Sequence, residues 1–198
     1  MAKNKNDGLG ISGDKSPFFS PLKALQELIH KNQDRGVIMG GIAASLFGKP
    51  RLTADLDALI LLDPPDIPQF LDIAEKVGIV PRIRSVDEFA RKNHVLLMQH
   101  TASGTNIDLV LGQLTFEKQM VSHSLMFTVS SLELRLPTPE DLIIMKTVAH
   151  RPKDMEDIKG IIEGQRHLNR KYIHKWAREF ADAMDSPEIF TDLVELLK

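Results

Sequence analysis

The chain of 198 residues has no cysteine, which excludes disulfides, thiolate metal ligands and cysteine nucleophiles together. It has no apolar run of membrane-spanning length and nothing resembling a signal peptide, so the sequence points to the cytoplasm and away from membranes. It has almost no net charge, formally −2, which argues against bulk attraction to nucleic acid or lipid and leaves only local patches to consider. None of its seven histidines pairs with another at the i, i+4 zinc spacing with a Glu between, and no internal repeat is visible. What is present, 42% apolar and 26% charged residues, is enough for a real core with an ordinary charged surface.

Residues 1–18 are polar and aperiodic and read as a mobile tail. Within them, Gly8-Leu9-Gly10-Ile11-Ser12-Gly13 matches the dinucleotide fingerprint in form only, since no strand precedes it and no helix pattern follows directly. Residues 19–137 read as a mixed α/β core. Helices are expected over 22–30, 41–47, 67–77, 85–93 (with a Ser85/Glu88 capping box) and 116–122. Strands are expected over 37–39, 55–62, 95–100, 106–111, 125–129 and 132–136, with 95–100 and 106–111 forming a hairpin. Residues 138–198 are helical, opened by Thr138-Pro139-Glu140-Asp141 and continuing over 153–162, 170–184 and 187–197. The fold class is therefore α/β (α+β), a mixed sheet flanked by helices with a helical C-terminal segment.

The informative pattern begins at Gly40-Gly41. A glycine pair where a strand turns into a helix lets backbone approach an anion closely, and the N–H groups at the helix start point at it. Asp55 and Asp57 follow, one residue apart at the head of an apolar strand, so their side chains share a face. Such close like charges ask for a cation. A third acid, Asp108, interrupts the apolar strand 106–111, and the three carboxylates can converge if the two strands are neighbours. An oxygen-rich, thiol-free cluster suits Mg²⁺ or Mn²⁺. Two such ions serve in-line phosphoryl displacement.

Gly40-Gly41, then Arg51-x-Thr53-x-Asp55-x-Asp57, then a distant strand Asp108 resembles the nucleotidyltransferase superfamily of DNA polymerase beta. The run Pro139 to Lys146 followed by Arg151-Pro152-Lys153-Asp154-Met155-Glu156-Asp157-Ile158 looks like the helical segment of its small prokaryotic members, including the AbiEii-like toxin nucleotidyltransferases. The resemblance spans residues from about 37 to 162. It implies a Mg²⁺-dependent transferase that moves a nucleoside monophosphate from a nucleoside triphosphate to a hydroxyl acceptor. By motif match, Asp55, Asp57 and Asp108 are metal ligands, with Asp108 shared between the metal and activation of the acceptor. Gly40, Gly41, Arg51, Thr53 and Lys146 fall on the nucleotide side. Many members carry Gly-Ser at the first motif; Gly41 replaces that Ser here, so backbone must supply the contact or none does. The acceptor implied is RNA (a tRNA end), a protein or a small molecule, with a cognate toxin or antitoxin as a possible partner.

Plainer readings stand beside these. Asp55 and Asp57 could cap a strand entrance, Asp108 could pair with Arg51 or Lys146, Lys146 could snorkel from an apolar helix, and Arg51 and Thr53 could be turn residues. Asp154 and Asp157 suit the positive end of a helix, with Arg151 or Lys153 as candidate substrate contacts. On 170–184, Ile173, Trp176, Ala177, Phe180 and Met184 form a core stripe. Arg170, Lys171, His174, Lys175 and Arg178 cover the other side, as a solvated face or an RNA-phosphate contact. Two other functions remain open: a binding or antitoxin partner that keeps the fold without turnover, and a phosphohydrolase using the same metals.

Overall fold

The computed structural model describes residues 16–198. The glycine run at 8–13 and nearly all of the expected tail lie outside the described residues. Helix α1 (Phe19–Lys31) buries Leu22, Leu25, Leu28 and Ile29 on one stripe. The chain then enters β1 (Gly36–Met39), buried at all four positions, and turns into α2 (Gly40–Phe47). A loop leads to β2 (Leu56–Ile60). After a 3₁₀ turn, Pro64–Asp66, come α3 (Ile67–Lys76), β3 (Ile79–Pro81) and α4 (Val86–Asn93). The hairpin of β4 (Val95–His100) and β5 (Asn106–Leu111) follows, then α5 (Thr115–Ser122). A second hairpin, β6 (Leu125–Val129) with β7 (Leu132–Leu136), precedes α6 (Pro139–Ala149), α7 (Pro152–Gly164), α8 (Arg170–Ala183) and α9 (Pro187–Leu196).

The main sheet has the order β1-β2-β5-β4-β3. Only β2 and β5 run parallel; the other neighbours are antiparallel. That parallel pair is the key to the site, because it puts residues far apart in sequence into register: Leu56 opposite Ile107, Asp57 opposite Asp108, Ala58 opposite Leu109. Side chains alternate along a strand, so Ile107, Leu109 and Leu111 go into the core while Asn106, Asp108 and Val110 face the half-open side. On β2, Asp57 is likewise the one residue not fully buried.

Helix α2 packs on β1 and β2 and is covered in turn by α6 and α7; α6 carries α8, and α8 carries α9. The helical segment thus grows from the sheet, and one continuous set of buried apolar residues runs from Leu22 to Leu197. Phe116 of α5 meets α8 edge-on through Trp176 and Phe180, with ring centroids 5.0 and 5.4 Å apart. No helix among the described residues is long and apolar enough to cross a membrane.

The element boundaries depart from the sequence expectations where local patterning is weakest. Strand β2 starts at Leu56, so Asp55 lies outside the ladder in an exposed bend. Strand β3 was not anticipated: three residues are too few for a periodicity, and its place is set by pairing with β4. Ser85 precedes α4 in left-handed backbone, φ 53°, and makes no side-chain cap, so the expected capping box is absent. Met184, expected in the core stripe, lies past the end of α8 and is 49% exposed.

The start of α6 meets expectation: Thr138 Oγ1 accepts from the Asp141 backbone N–H and donates to Asp141 Oδ2 at 2.7 Å. Asp141 is fully buried, and its Oδ1 accepts from the Tyr172 hydroxyl at 2.7 Å, fixing α8 to α6. Burial and this carboxylate push the Tyr172 phenol well above its ordinary pKa. Tyr172→Phe leaves a buried carboxylate oxygen without its donor. It is expected to cost about 2 kcal/mol, read as a lower urea midpoint at unchanged slope.

Candidate active site

Gly40 opens α2 directly after β1 with φ +66°, a conformation that L side chains rarely adopt. Met39 stands opposite Asp57 in the β1–β2 ladder, and a Cβ added at Gly40 would lie 1.9 Å from Asp57 Oδ2. The glycine is therefore needed twice, for the turn and for the room that Asp57 occupies. A Cβ at Gly41 would sit 2.8 Å from Thr53 Oγ1 and 3.3 Å from Arg51 Nη2, so the loop 50–55 rests directly on the start of α2. No side chain caps that start.

Asp57 and Asp108 stand side by side on adjacent parallel strands and face one cleft of about 260 Å³. Gly40 forms its ledge, Val95 and Val110 its strand wall, and Leu142, Met145, Lys146 and Ala149 of α6 its helical wall; Arg151 and Asp154 close one end. Burial first, then the Asp108 charge, raises the Asp57 carboxyl above its ordinary pKa, and the charge of Asp55 adds a smaller part while Lys146 offsets some of it. Gly41, Arg51, Thr53 and Asp55 lie outside the cleft lining.

Arg51 instead makes a two-pronged bond to Asp157, Nε to Oδ1 at 2.7 Å and Nη2 to Oδ2 at 2.8 Å, and Ser45 Oγ of α2 holds its backbone. Thr53 Oγ1 donates to the Asp55 carbonyl at 3.1 Å. Both residues brace the loop that delivers Asp55 and Asp57. Lys146 is buried at the cleft wall, and Nζ donates to Asp157 Oδ2 at 2.6 Å and Asp154 Oδ1 at 3.2 Å. Two of an ammonium's three donors are thereby engaged and one remains. Arg151 Nε donates to Asp154 Oδ2 at 2.5 Å. Burial disfavours the charges of Asp154 and Asp157, but the cations around them prevail and hold both carboxyls below their ordinary pKa.

Asp154 and Asp157 thus do more than face a helix end. They share the apolar stripe of α7 with Ile158 and Ile161, all buried, and this spacing of acids on a core-facing stripe was the available signal. Asp108 is paired neither with Arg51 nor with Lys146: Arg82, just beyond β3, brings Nη1 to 2.7 Å of Asp108 Oδ1. Sequence patterning does not reveal Arg82, because the short β3 places it. On α8 much of the basic stripe is engaged. Arg170 donates to the Leu197 carbonyl, and Arg178 lies 4.7 Å over the Phe190 ring.

Among the described residues, no three acidic or histidine side chains form a ready set of metal ligands. The pair Asp57 and Asp108 nonetheless fits a hard divalent cation. Both are oxygen donors, they stand in register on adjacent strands and line one cleft, and Mg²⁺ is often held by one or two carboxylates plus substrate phosphates.

The strained charge of Asp57 has a stability consequence. Its folded pKa is raised, so ionisation is disfavoured in the native state and its charge lowers stability above the ordinary carboxylate range, with no effect once it is protonated in both states. Asp57→Asn is expected to be more stable than wild type at pH 7, with the gain vanishing toward about pH 3, in urea midpoints measured across pH. A loss of stability at pH 7 would contradict the described environment.

Comparison with known proteins bears on the fold and the family. In structure the chain is similar to an antibiotic-resistance factor, ANT(2'')-Ia, with a TM-score of 0.56 and 13% identity over 86% of this chain and 96% of that one. It is also similar to an antigenic nucleotidyltransferase-like protein from Paracoccidioides brasiliensis, with a TM-score of 0.52 and 17% identity over 90% of this chain and 93% of that one. At such identities the likeness is one of fold. No curated protein matches it in sequence. The family model described as "Nucleotidyltransferase of unknown function (DUF6036)" matches residues 18–164, most of the chain and all of the cleft lining, so the chain belongs to that nucleotidyltransferase family.

Proposed function

We propose that the chain is a divalent-metal-dependent nucleotidyltransferase that moves a nucleoside monophosphate from a nucleoside triphosphate to a hydroxyl acceptor. The observation that carries this is the in-register pair Asp57–Asp108 facing a cleft whose ledge is Gly40. The uncapped start of α2 and the Gly40-Gly41 backbone receive the triphosphate. Lys146, through its remaining N–H, and Arg151 face the same anion from the opposite wall. Asp57 and Asp108 hold Mg²⁺ or Mn²⁺, which when bound neutralises charge on the phosphates and the leaving pyrophosphate. Asp55, outside the cleft lining, contributes its field to Asp57.

In the reaction, the acceptor oxygen forms a bond to the α-phosphorus and the bond from that phosphorus to the bridging oxygen breaks. Pyrophosphate leaves, and the Asp108 carboxylate draws off the acceptor proton. The apolar side chains of Val95, Val110, Leu142 and Met145 line the cleft beside the carboxylates and limit the water around the reacting groups once substrate fills it. RNA, a protein side chain and a small molecule are the acceptor classes in view, in a cytoplasmic setting that includes toxin–antitoxin pairs.

The test is incubation with each α-labelled nucleoside triphosphate, Mg²⁺, and total RNA or lysate. Label transferred with pyrophosphate release is the expected outcome. Retention of unaltered nucleotide would instead indicate a binding module, and free mono- or diphosphate a phosphohydrolase. Asp57→Asn is expected to fold and to lose at least ~10²-fold of the transfer rate, since electrostatic stabilisation of this chemistry is worth several kcal/mol. Transfer at the wild-type rate would remove Asp57 from the mechanism.

A further inference from the structure

The sheet row that carries the carboxylates runs on to the edge. Asp57 of β2 stands opposite Asp108 of β5, and Asp108 stands opposite Leu97 of β4. The backbone N–H of Arg82, the residue after β3, donates to the Leu97 carbonyl at 3.0 Å. The Arg82 side chain spans β4 from that anchor and brings Nη1 to 2.7 Å of Asp108 Oδ1. The approach is out of line for a hydrogen bond, and Oδ1 is buried with no other partner, so the contact is one of charge. The Asp108 side chain is nevertheless 34% exposed, and since Oδ1 is not, that exposure belongs to its other atoms, Oδ2 among them. The Arg82 side chain is itself only 24% exposed, which limits how far solvent screens the pair.

We propose that Arg82 is a positioning residue for Asp108: it occupies Oδ1, leaves Oδ2 as the single oxygen offered to the cleft, and offsets the charge that the two carboxylates would otherwise present to a divalent cation. The inference rests on the reading of Asp57 and Asp108 as the cation-holding pair. It adds that this pair is tuned down by a fixed guanidinium supplied from the sheet edge, so that the protein alone holds the cation weakly and needs the negative phosphates of the nucleotide to complete the site.

The experiment is a Mn²⁺ titration without nucleotide, followed by loss of the free-ion electron paramagnetic resonance signal. It compares wild type, Arg82→Gln, Arg82→Lys and Asp57→Asn, with circular dichroism on each. Arg82→Gln is expected to bind Mn²⁺ about tenfold more tightly, the order expected when one unit charge close to a partly screened cation site is removed. Arg82→Lys, with a shorter stem and a point charge, is expected to fall between it and wild type, and Asp57→Asn to bind weakly. A merely structural Arg82 would leave the affinity unchanged or lower it when removed. That result in folded Arg82→Gln overturns the role of Arg82 while the carboxylate pair stands. If Arg82→Gln does not fold, Arg82→Lys decides, and affinity no tighter than wild type overturns the proposal. Wild-type affinity that Asp57→Asn fails to lower overturns both Arg82 and the pair.

Discussion

Two carboxylates fixed side by side on neighbouring strands are the constraint around which this protein is arranged. Asp57 and Asp108 are held in register by the single parallel pairing of the sheet, and their backbones cannot move apart without breaking that ladder. Like charges a few ångströms apart repel by a few kcal/mol at the effective dielectric of a protein surface. The surroundings answer with cations from three directions: Arg82 from the sheet edge, Lys146 from α6 and Arg151 from the α6–α7 turn. The Asp57 carboxyl stays raised even so, first because it is buried and then because the Asp108 charge stands beside it. A carboxylate with both causes acting on it in a cleft is the kind of group found at functional sites.

A second charge cluster does the mechanical work. Asp157 joins Arg51, Lys146 and the helix that carries it, and Asp154 joins Lys146 to Arg151. Buried ion pairs of this kind gain little net stability over apolar packing, but they fix geometry. Here they tie the loop 50–55 to α7, and with it the approach to Asp57 and the start of α2 at Gly41, on which the loop rests. The helical segment is thus part of the cleft. Its apolar residues form one wall, and its buried charges set the distance between that wall and the sheet.

Much of this was legible in the sequence, for identifiable reasons. The hairpin 95–100 with 106–111 and the start of α6 at Thr138 follow from strong local patterns, alternation in one case and a capping residue before proline in the other. The juxtaposition of Asp57 with Asp108 was conditional on two strands being neighbours, and the sheet order satisfies that condition. Asp55 illustrates the limit of the alternation argument: sharing a face requires both residues to be in the strand, and the ladder begins one residue later. Arg82 depends on a three-residue edge strand, and the bond between Arg51 and Asp157 joins residues 106 apart. Neither leaves a local trace, because both are consequences of tertiary pairing.

The central claim is that Asp57 and Asp108 hold a divalent cation together with a triphosphate at the start of α2. The most direct measurement is a crystal structure of the protein with Mn²⁺ and a non-hydrolysable nucleoside triphosphate, using the anomalous signal of manganese. The account predicts manganese within bonding distance of both carboxylates and phosphate oxygens against the Gly40-Gly41 backbone. Manganese away from that pair, or a triphosphate seated elsewhere, would contradict it.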